Sequence, residues 1–434
     1  MGRMDNEPEL PKVEWLNDRL QLTLAFSKRY KMSTAVCYLR LHFPQELSQH
    51  HDDEIETALV SNILSRLNRS IRNIDTLIKI NRTDFAILLV DITEHDCKQI
   101  CERMISSISD TYTIDYRHFS ISSNIGICMF PYGAEEPEKL LVIAKAQMYV
   151  AEARGENQFS LYIGELDQMA SRKVLIENDF PYALKRGQLH VQFQPQYSLE
   201  KKAIEGAEAL IRWNHPSLGE VSPAEFISYA EEAGMSNQLF FWVFEEVCRQ
   251  IASEKIRIMK YSINLSVNQL LLDSFLDDVK EIIHLYSVSA KHITLEITEN
   301  IEIYSVKTVN ERLIALKEAG FTIALDDFGN GYFSFSDFIK LPIDYIKLDR
   351  NFVFSLWKNK KHKGVVLPII NMAHNLGLQV IIEGIEDQTQ FVEWAQLGCD
   401  IIQGYFISKP ITFEAMMDSI AEIEERAEAV RNQG

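Results

Sequence analysis

Positive charge is scarce in this 434-residue sequence: 44 Lys and Arg stand against 62 Asp and Glu, a formal net charge of −18. That field repels nucleic-acid phosphates, so polymeric DNA or RNA is not an expected partner. Any phosphate ligand must be drawn by metals or by a few well-placed cations. Long apolar runs are missing too. No stretch reaches the roughly 18 apolar residues of a membrane span, and Met1 to Glu7 lacks the apolar core of a signal peptide. A cytoplasmic protein without a membrane span is the expectation. Cysteine is sparse and irregular, at positions 37, 97, 101, 128, 248 and 399, with no pair spacing that marks a disulfide framework or a zinc ribbon. Cys97 and Cys101, one helical turn apart near His95, read as part of a helix face packed into a core.

What is present suffices for two cores, since 46% of the residues are hydrophobic. Over residues 13–165, strand-like runs alternate with helical ones: Ala35 to Leu41, Ile78 to Asp91 around a polar turn, Phe119 to Met129, and a closing Asn157 to Leu161. This pattern predicts a small α/β domain. Residues 166–178 read as a linker helix. Over residues 179–420, apolar strands recur with helices between them: His190 to Tyr197, Ala203 to Trp213, Tyr261 to Ser266, His292 to Thr298, Phe321 to Asp327, Tyr345 to Leu348, Gln379 to Glu383 and Asp400 to Phe406. A βα repeat of this length predicts a mainly parallel sheet closed as a (β/α)8 barrel. Ser222, Pro223 and Glu225 form a capping-box helix start. Phe240, Val243, Phe244, Val247 and Ile251 are read as the apolar stripe of the helix it opens.

Barrel enzymes place their chemistry where strands end, and there this sequence breaks its apolar runs. Glu208, Asn264, Glu296, the pair Asp326 and Asp327, Lys347, Glu383 and Gln403 each interrupt or end an apolar strand. One buried carboxylate could be a satisfied ion pair, but several converging on one place imply bound cations. Carboxylate and amide oxygens are hard ligands that suit Mg²⁺ or Mn²⁺. The adjacent Asp326 and Asp327 could bridge two such ions about 4 Å apart, the arrangement of phosphoester hydrolysis. Lys347 suits a cation that orients water or the leaving oxygen, and Glu383 a base.

Glu208, Ala209 and Leu210 spell the signature of the EAL family of cyclic di-GMP phosphodiesterases, and the blocks around Phe193 to Gln196, Asn264 to Ser266, Leu295 to Glu299, Asp326 to Gly331, Ile346 to Asp349, Glu383 to Glu386 and Gln403 to Tyr405 resemble that family in order. The resemblance covers about Asp179 to Thr412. It implies hydrolysis of cyclic di-GMP to linear pGpG, with Glu208, Asn264, Glu296, Asp326 and Asp327 serving two Mg²⁺ or Mn²⁺ ions and Lys347 and Glu383 at the hydrolytic water. Gln194, Leu210, Arg212, Glu386 and Gln403 would meet the dinucleotide or complete its site. Glu299 would anchor the loop after the aspartates, which this family links to a homodimer through the EAL domain. That loop departs from the family pattern at Asn330 and Phe333. The alternative reading is a receptor that holds cyclic di-GMP without cleaving it, or a protein-interaction module.

The N-terminal domain resembles a GGDEF diguanylate cyclase domain that has lost its active site. Its signature position reads Asn81, Arg82, Thr83, Asp84 and Phe85, without the glycines that let a nucleotide approach the backbone. Arg40 and His42 replace aspartates on the family's metal-site strand, and Lys145 and Glu152 replace an Asp and a Lys. Arg72 and Asp75 keep the Arg-x-x-Asp spacing of an inhibitory product site. The resemblance implies a non-catalytic regulatory domain, one that binds GTP, cyclic di-GMP or a regulatory protein or that only supports dimerisation.

Overall fold

The computed structural model describes residues 14–44, 53–253, 259–298, 306–329, 338–358 and 362–431, which fall into two units, Met1–Asp179 and Phe180–Gly434. The first unit contains β1 (Thr34–His42), β2 (Thr76–Lys79), β3 (Asp84–Val90), a small hairpin of β4 (Tyr112–Ile114) and β5 (Arg117–Phe119), then β6 (Ser122–Phe130) and β7 (Phe159–Leu161). Its main sheet has the order β2-β3-β1-β6-β7, with β1 antiparallel to both β3 and β6.

Helices cover both faces of that sheet, which is why β1 reads as one apolar run. Ala35, Cys37, Leu39 and Leu41 pack with Leu59 and Ile63 of helix Asp53–Ser70 and with Ile100 and Met104 of helix Glu94–Ser109. On the other face, Val36 and Tyr38 pack with Leu140, Ala144 and Met148 of helix Pro137–Glu152. All but the first two residues of the segment read as a linker lie in helix Gln168–Ala183, whose Ala170 and Val174 join this second cluster. The two units part within that helix.

The second unit is built on β8 (Leu189–Ser198), β9 (Ala203–His215), β10 (Gly219–Val221), β11 (Lys260–Leu265), β12 (Ile293–Thr298), β13 (Thr322–Asp326), β14 (Tyr345–Leu348), β15 (Gln379–Ile382) and β16 (Ile401–Gln403). β10 sits on the edge of β9, and the other strands close into a barrel because β8 pairs with both β9 and β16. The pairs from β9 through β11 to β16 are parallel.

Two expectations need correction. β8 runs antiparallel to both of its neighbours, so the barrel opens with a hairpin instead of a βα unit. Antiparallel strands need only a tight turn, whereas parallel ones need a crossover. The turn here contains Lys202 at φ 54°. The capped helix is also two helices. Ser222 N donates to Glu225 Oε2 at 3.2 Å as a capping box requires, but the first helix, Pro223–Glu232, ends before Gly234 at φ 68°. The apolar stripe from Phe240 belongs to the next one, Ser236–Ser253.

Candidate active site

Inside the barrel, Ala324, Tyr345, Ile381 and Ile401 form a buried apolar cluster. Two residues further along the chain from each stand Asp326, Lys347, Glu383 and Gln403. A step of two keeps a side chain on the same face of a strand, so each strand places a polar group above that apolar floor, at its C-terminal end. Asn264 and Glu296 are register partners on β11 and β12 at the same end.

Lys347, fully buried, is the centre of the arrangement. Its Nζ lies 2.6 Å from Glu296 Oε2, 2.7 Å from Glu383 Oε1, 3.4 Å from Asp326 Oδ1 and 3.5 Å from Glu208 Oε2. Burial works to lower the Lys347 pKa, but these carboxylates hold it well above the ordinary lysine value. A single ammonium cannot offset so many acids. Burial pushes Glu296 well above the usual carboxylate range against the pull of Lys347, and pushes Glu383 up to about 8. Glu296 Oε1 is buried with no hydrogen-bond partner among the described residues. Glu383 Oε1, close to Lys347 as it is, accepts no aligned hydrogen bond among the described residues.

Glu208 is treated differently by its surroundings. Burial would raise its pKa, yet the Lys347 charge and hydrogen bonds from Gln403 and Asn264 hold it below the ordinary value. Asn264 Nδ2 donates to Oε1 at 3.0 Å and Gln403 Nε2 to Oε2 at 2.7 Å. Gln403 Nε2 also lies 3.1 Å from Gln194 Oε1, and Gln196 Nε2 donates to Gln403 Oε1 at 2.8 Å. Gln194 in turn spends its amide hydrogen on Ser408 O at 3.1 Å.

Asp327 follows β13 in the left-handed region, φ 57°, and its backbone N donates to Asp326 Oδ1 at 2.9 Å. Phe328 N then donates to Lys347 O at 3.1 Å, which fixes the turn against β14. Burial, then the neighbouring Asp326 and Asp349, raise the Asp327 pKa. Glu208, Leu210 and Arg212 alternate along β9 and so share one face. Arg212, half-buried, donates through Nε to Gln192 Oε1 at 3.1 Å. Glu386 is more peripheral, bound to Arg350 Nη2. Glu299, Asn330 and Phe333 lie outside the described residues.

The donors around Lys347 are carboxylate and amide oxygens, with acid in excess and a buried oxygen unsatisfied, which fits hard divalent cations. The carboxylates ring Lys347 without collapsing onto one another. Among the described residues only Cys37, Cys97 and Cys101 bring three ligand atoms within 4.8 Å of each other, and those thiols sit in the apolar core of the first unit.

That unit holds a second buried charge network. Arg40 donates from Nε to Asp84 Oδ1 at 2.9 Å and from Nη2 to Asp84 Oδ2 at 3.0 Å, and Tyr38 OH donates to Oδ2 at 2.7 Å. Arg40 Nη1 reaches Tyr149 OH at 3.0 Å, and that hydroxyl donates to Glu177 Oε1. Lys145 Nζ pairs with Glu177 Oε2 at 2.6 Å. Asn81 Oδ1 accepts from Thr83 N and Asp84 N, each at 2.8 Å, so the turn of the signature position caps itself, with Arg82 exposed on it. Phe85 is core. Asp75 uses one carboxylate oxygen on Arg72 N at 2.8 Å and the other on Val90 N at 3.1 Å, which makes it a turn brace. Sequence reading missed Glu177 and Gln196. A lone acid on a polar helix carries no signal, whereas Gln196 shares a strand face with Gln194 and could have been found by period.

A model of the EAL domain matches residues 177–410, and one of the diguanylate cyclase, GGDEF domain matches residues 4–158. The bifunctional diguanylate cyclase/cyclic di-GMP phosphodiesterase MucR of Pseudomonas aeruginosa is 28% identical over 420 residues, which cover 96% of this chain and 61% of that protein. The cyclic di-GMP phosphodiesterase NbdA of the same organism is 27% identical over 388 residues, covering 88% and 49%. A solved structure described as PaMucR phosphodiesterase, c-di-GMP complex, aligns with a TM-score of 0.54 at 30% identity, covering 56% of this chain and 99% of that one. The chain thus spans 61% and 49% of the length of these two curated relatives. Among the described residues no helix is long and apolar enough to cross a membrane.

Proposed function

This chain belongs to the EAL domain family, and on that premise we propose that its barrel hydrolyses one phosphodiester bond of cyclic di-GMP, giving linear pGpG. The observation that carries the reading is the charge imbalance at the barrel mouth. One buried Lys347 stands within 3.5 Å of four carboxylates, and a buried Glu296 oxygen has no partner among the described residues.

Glu208, Asn264, Glu296, Asp326 and Asp327 would supply the oxygen ligands for Mg²⁺ or Mn²⁺, two ions in this reading. Such ions, when bound, contribute Lewis-acid charge and a water of lowered pKa. Lys347 orients the attacking water and keeps positive charge beside the phosphate oxygens. Glu383 accepts a proton from that water; the Lys347 ammonium 2.7 Å away and the charge of bound cations would favour the ionised carboxylate that this role needs. Leu210 and Arg212, further along the face of β9 that carries Glu208, hold the dinucleotide, with Gln194 and Gln403 closing the near side.

The first unit is read as non-catalytic. Arg40 already engages both oxygens of Asp84, so that carboxylate is not free for a nucleotide-bound metal. Incubation of the purified chain with cyclic di-GMP and Mn²⁺, with and without chelator, tests the proposal. Linear pGpG formed only with metal is the expected result, lost in Glu208→Ala and Asp326→Ala. Bound but uncleaved ligand would establish the receptor reading instead.

A further inference from the structure

Beneath Glu208 lies a set of primary amides sealed from solvent. Gln194, Gln196, Gln403 and Glu208 are exposed by 8%, 4%, 3% and 7%, so their polar atoms must find partners within the protein. An amide has a donor end and an acceptor end. An ionised carboxylate only accepts, so Glu208 requires the NH₂ end of Gln403, and receives it at 2.7 Å. The carbonyl end of Gln403 then faces away, where Gln196 Nε2 meets it at 2.8 Å.

Residue 196 therefore decides which end of Gln403 faces the carboxylate. An apolar side chain there leaves a buried carbonyl unsatisfied. An acceptor there repels that carbonyl and favours the flipped amide, whose oxygen would then confront Glu208 Oε2. The neighbouring strand makes room for this arrangement. Gln196 is the register partner of Gly206 on β9, and a Cβ on Gly206 would stand 2.9 Å from Gln196 Oε1 and 2.8 Å from Lys260 O. Only glycine leaves that space to the glutamine.

We propose that Gln196 is a positioning residue that sets the orientation of Gln403 and through it the carboxylate of Glu208. The inference rests on the reading of Glu208 as a metal ligand. Partners one step removed from a metal ligand alter metal affinity by roughly 10- to 100-fold when lost, and hydrogen bonds in series reinforce each other.

The test uses the full chain with Gln196→Glu, which keeps the shape and exchanges donor for acceptor, Gln196→Met, Gln403→Met and the Gln196→Met/Gln403→Met double variant. Metal-free melting comes first. A relay predicts that the two methionine substitutions are non-additive, because either one already breaks the same chain. Mn²⁺ titration follows, with binding weakened tenfold or more in Gln196→Glu and less in Gln196→Met. Additive melting shifts together with unchanged Mn²⁺ affinity in a folded variant would overturn the proposal. Should Gln196→Glu fail to fold, Gln196→Met, which preserves volume, carries both measurements. Should the wild-type chain take up no Mn²⁺, the metal reading of Glu208 falls, and additivity alone then decides for or against the relay.

Discussion

Lys347→Met is the substitution that most directly probes the charge arrangement in the barrel. It keeps an unbranched, largely apolar side chain but removes the one ammonium shared by Glu208, Glu296, Asp326 and Glu383. Deleting one partner of a buried ion pair costs about 3–5 kcal/mol, because the charge left behind stays desolvated. Here several acids lose the same counter-charge, while proton uptake relieves part of the penalty. The lower end of that range is then the expected cost in the metal-free protein. For a unit the size of Phe180–Gly434, the loss corresponds to a fall in melting temperature on the order of 10 °C. Circular-dichroism melts in chelator and in excess Mn²⁺ supply the comparison. Both proteins should gain stability from Mn²⁺ by mass action, and the variant should gain more, since an added cation relieves a larger excess of negative charge. A chelated variant melting within a degree or two of wild type would refute the reasoning, as would a variant that gains less from Mn²⁺ than wild type does.

The same imbalance sets a pH profile in chelator. A carboxyl whose folded pKa is raised contributes stability that is present below its unfolded value and lost as pH rises through the folded one. With Glu383 at about 8 and Glu296 raised as well, the melting temperature should fall between pH 5 and pH 9, and Glu383→Gln should flatten the slope; a rise over that window contradicts the assignment. Gly404 occupies φ 154°, and a Cβ there would overlap the backbone of Ile385. Gly404→Ala should therefore cost more than about 2 kcal/mol and, by displacing Gln403, cut turnover more than it changes KM, as steady-state kinetics on cyclic di-GMP would show. In the first unit, Arg40→Ala leaves Asp84 buried without its partner and should cost about 3–5 kcal/mol in denaturant titrations. Combining it with Arg82→Gly should still yield no cyclic di-GMP from GTP, and chromatographic detection of that product would show that the unit retains cyclase capacity.

Much of the barrel was legible because two signals coincide: strands announce themselves by short apolar runs, and a polar residue closing such a run is costly unless it has work to do. Lys347 among apolar neighbours, or Asp326 after Ile323 to Leu325, could be placed in one pocket from spacing alone. The direction of β8 could not. Its own sequence is equally compatible with either direction, and the choice is made by pairing with β9 and with β16, which lies more than two hundred residues away along the chain. The division of Pro223–Glu232 from Ser236–Ser253 escaped for a local reason: helical periodicity resumes almost in phase after Gly234, so the stripe looks continuous. Gln196 went without a role because an amide earns meaning only from what faces each end. In the first unit, the loss of glycines at Asn81 and Arg82 was visible, but not that Arg40 would fold back onto Asp84.

Glu177 gives the helix Gln168–Ala183 a practical meaning for anyone dividing this protein. Cutting the first domain at residue 158, where the family model stops, removes the acid that pairs with Lys145 and accepts from Tyr149. The fragment would leave Lys145 without that counter-charge and shed the Ala170 and Val174 contacts from its core. Extended to Asp179, it keeps its own counter-ion. Thermal melts of the two fragments should separate them clearly, with the shorter one less stable and salt-sensitive. For expression, crystallography or domain exchange, the working boundary lies past this helix's glutamate, not before the helix begins.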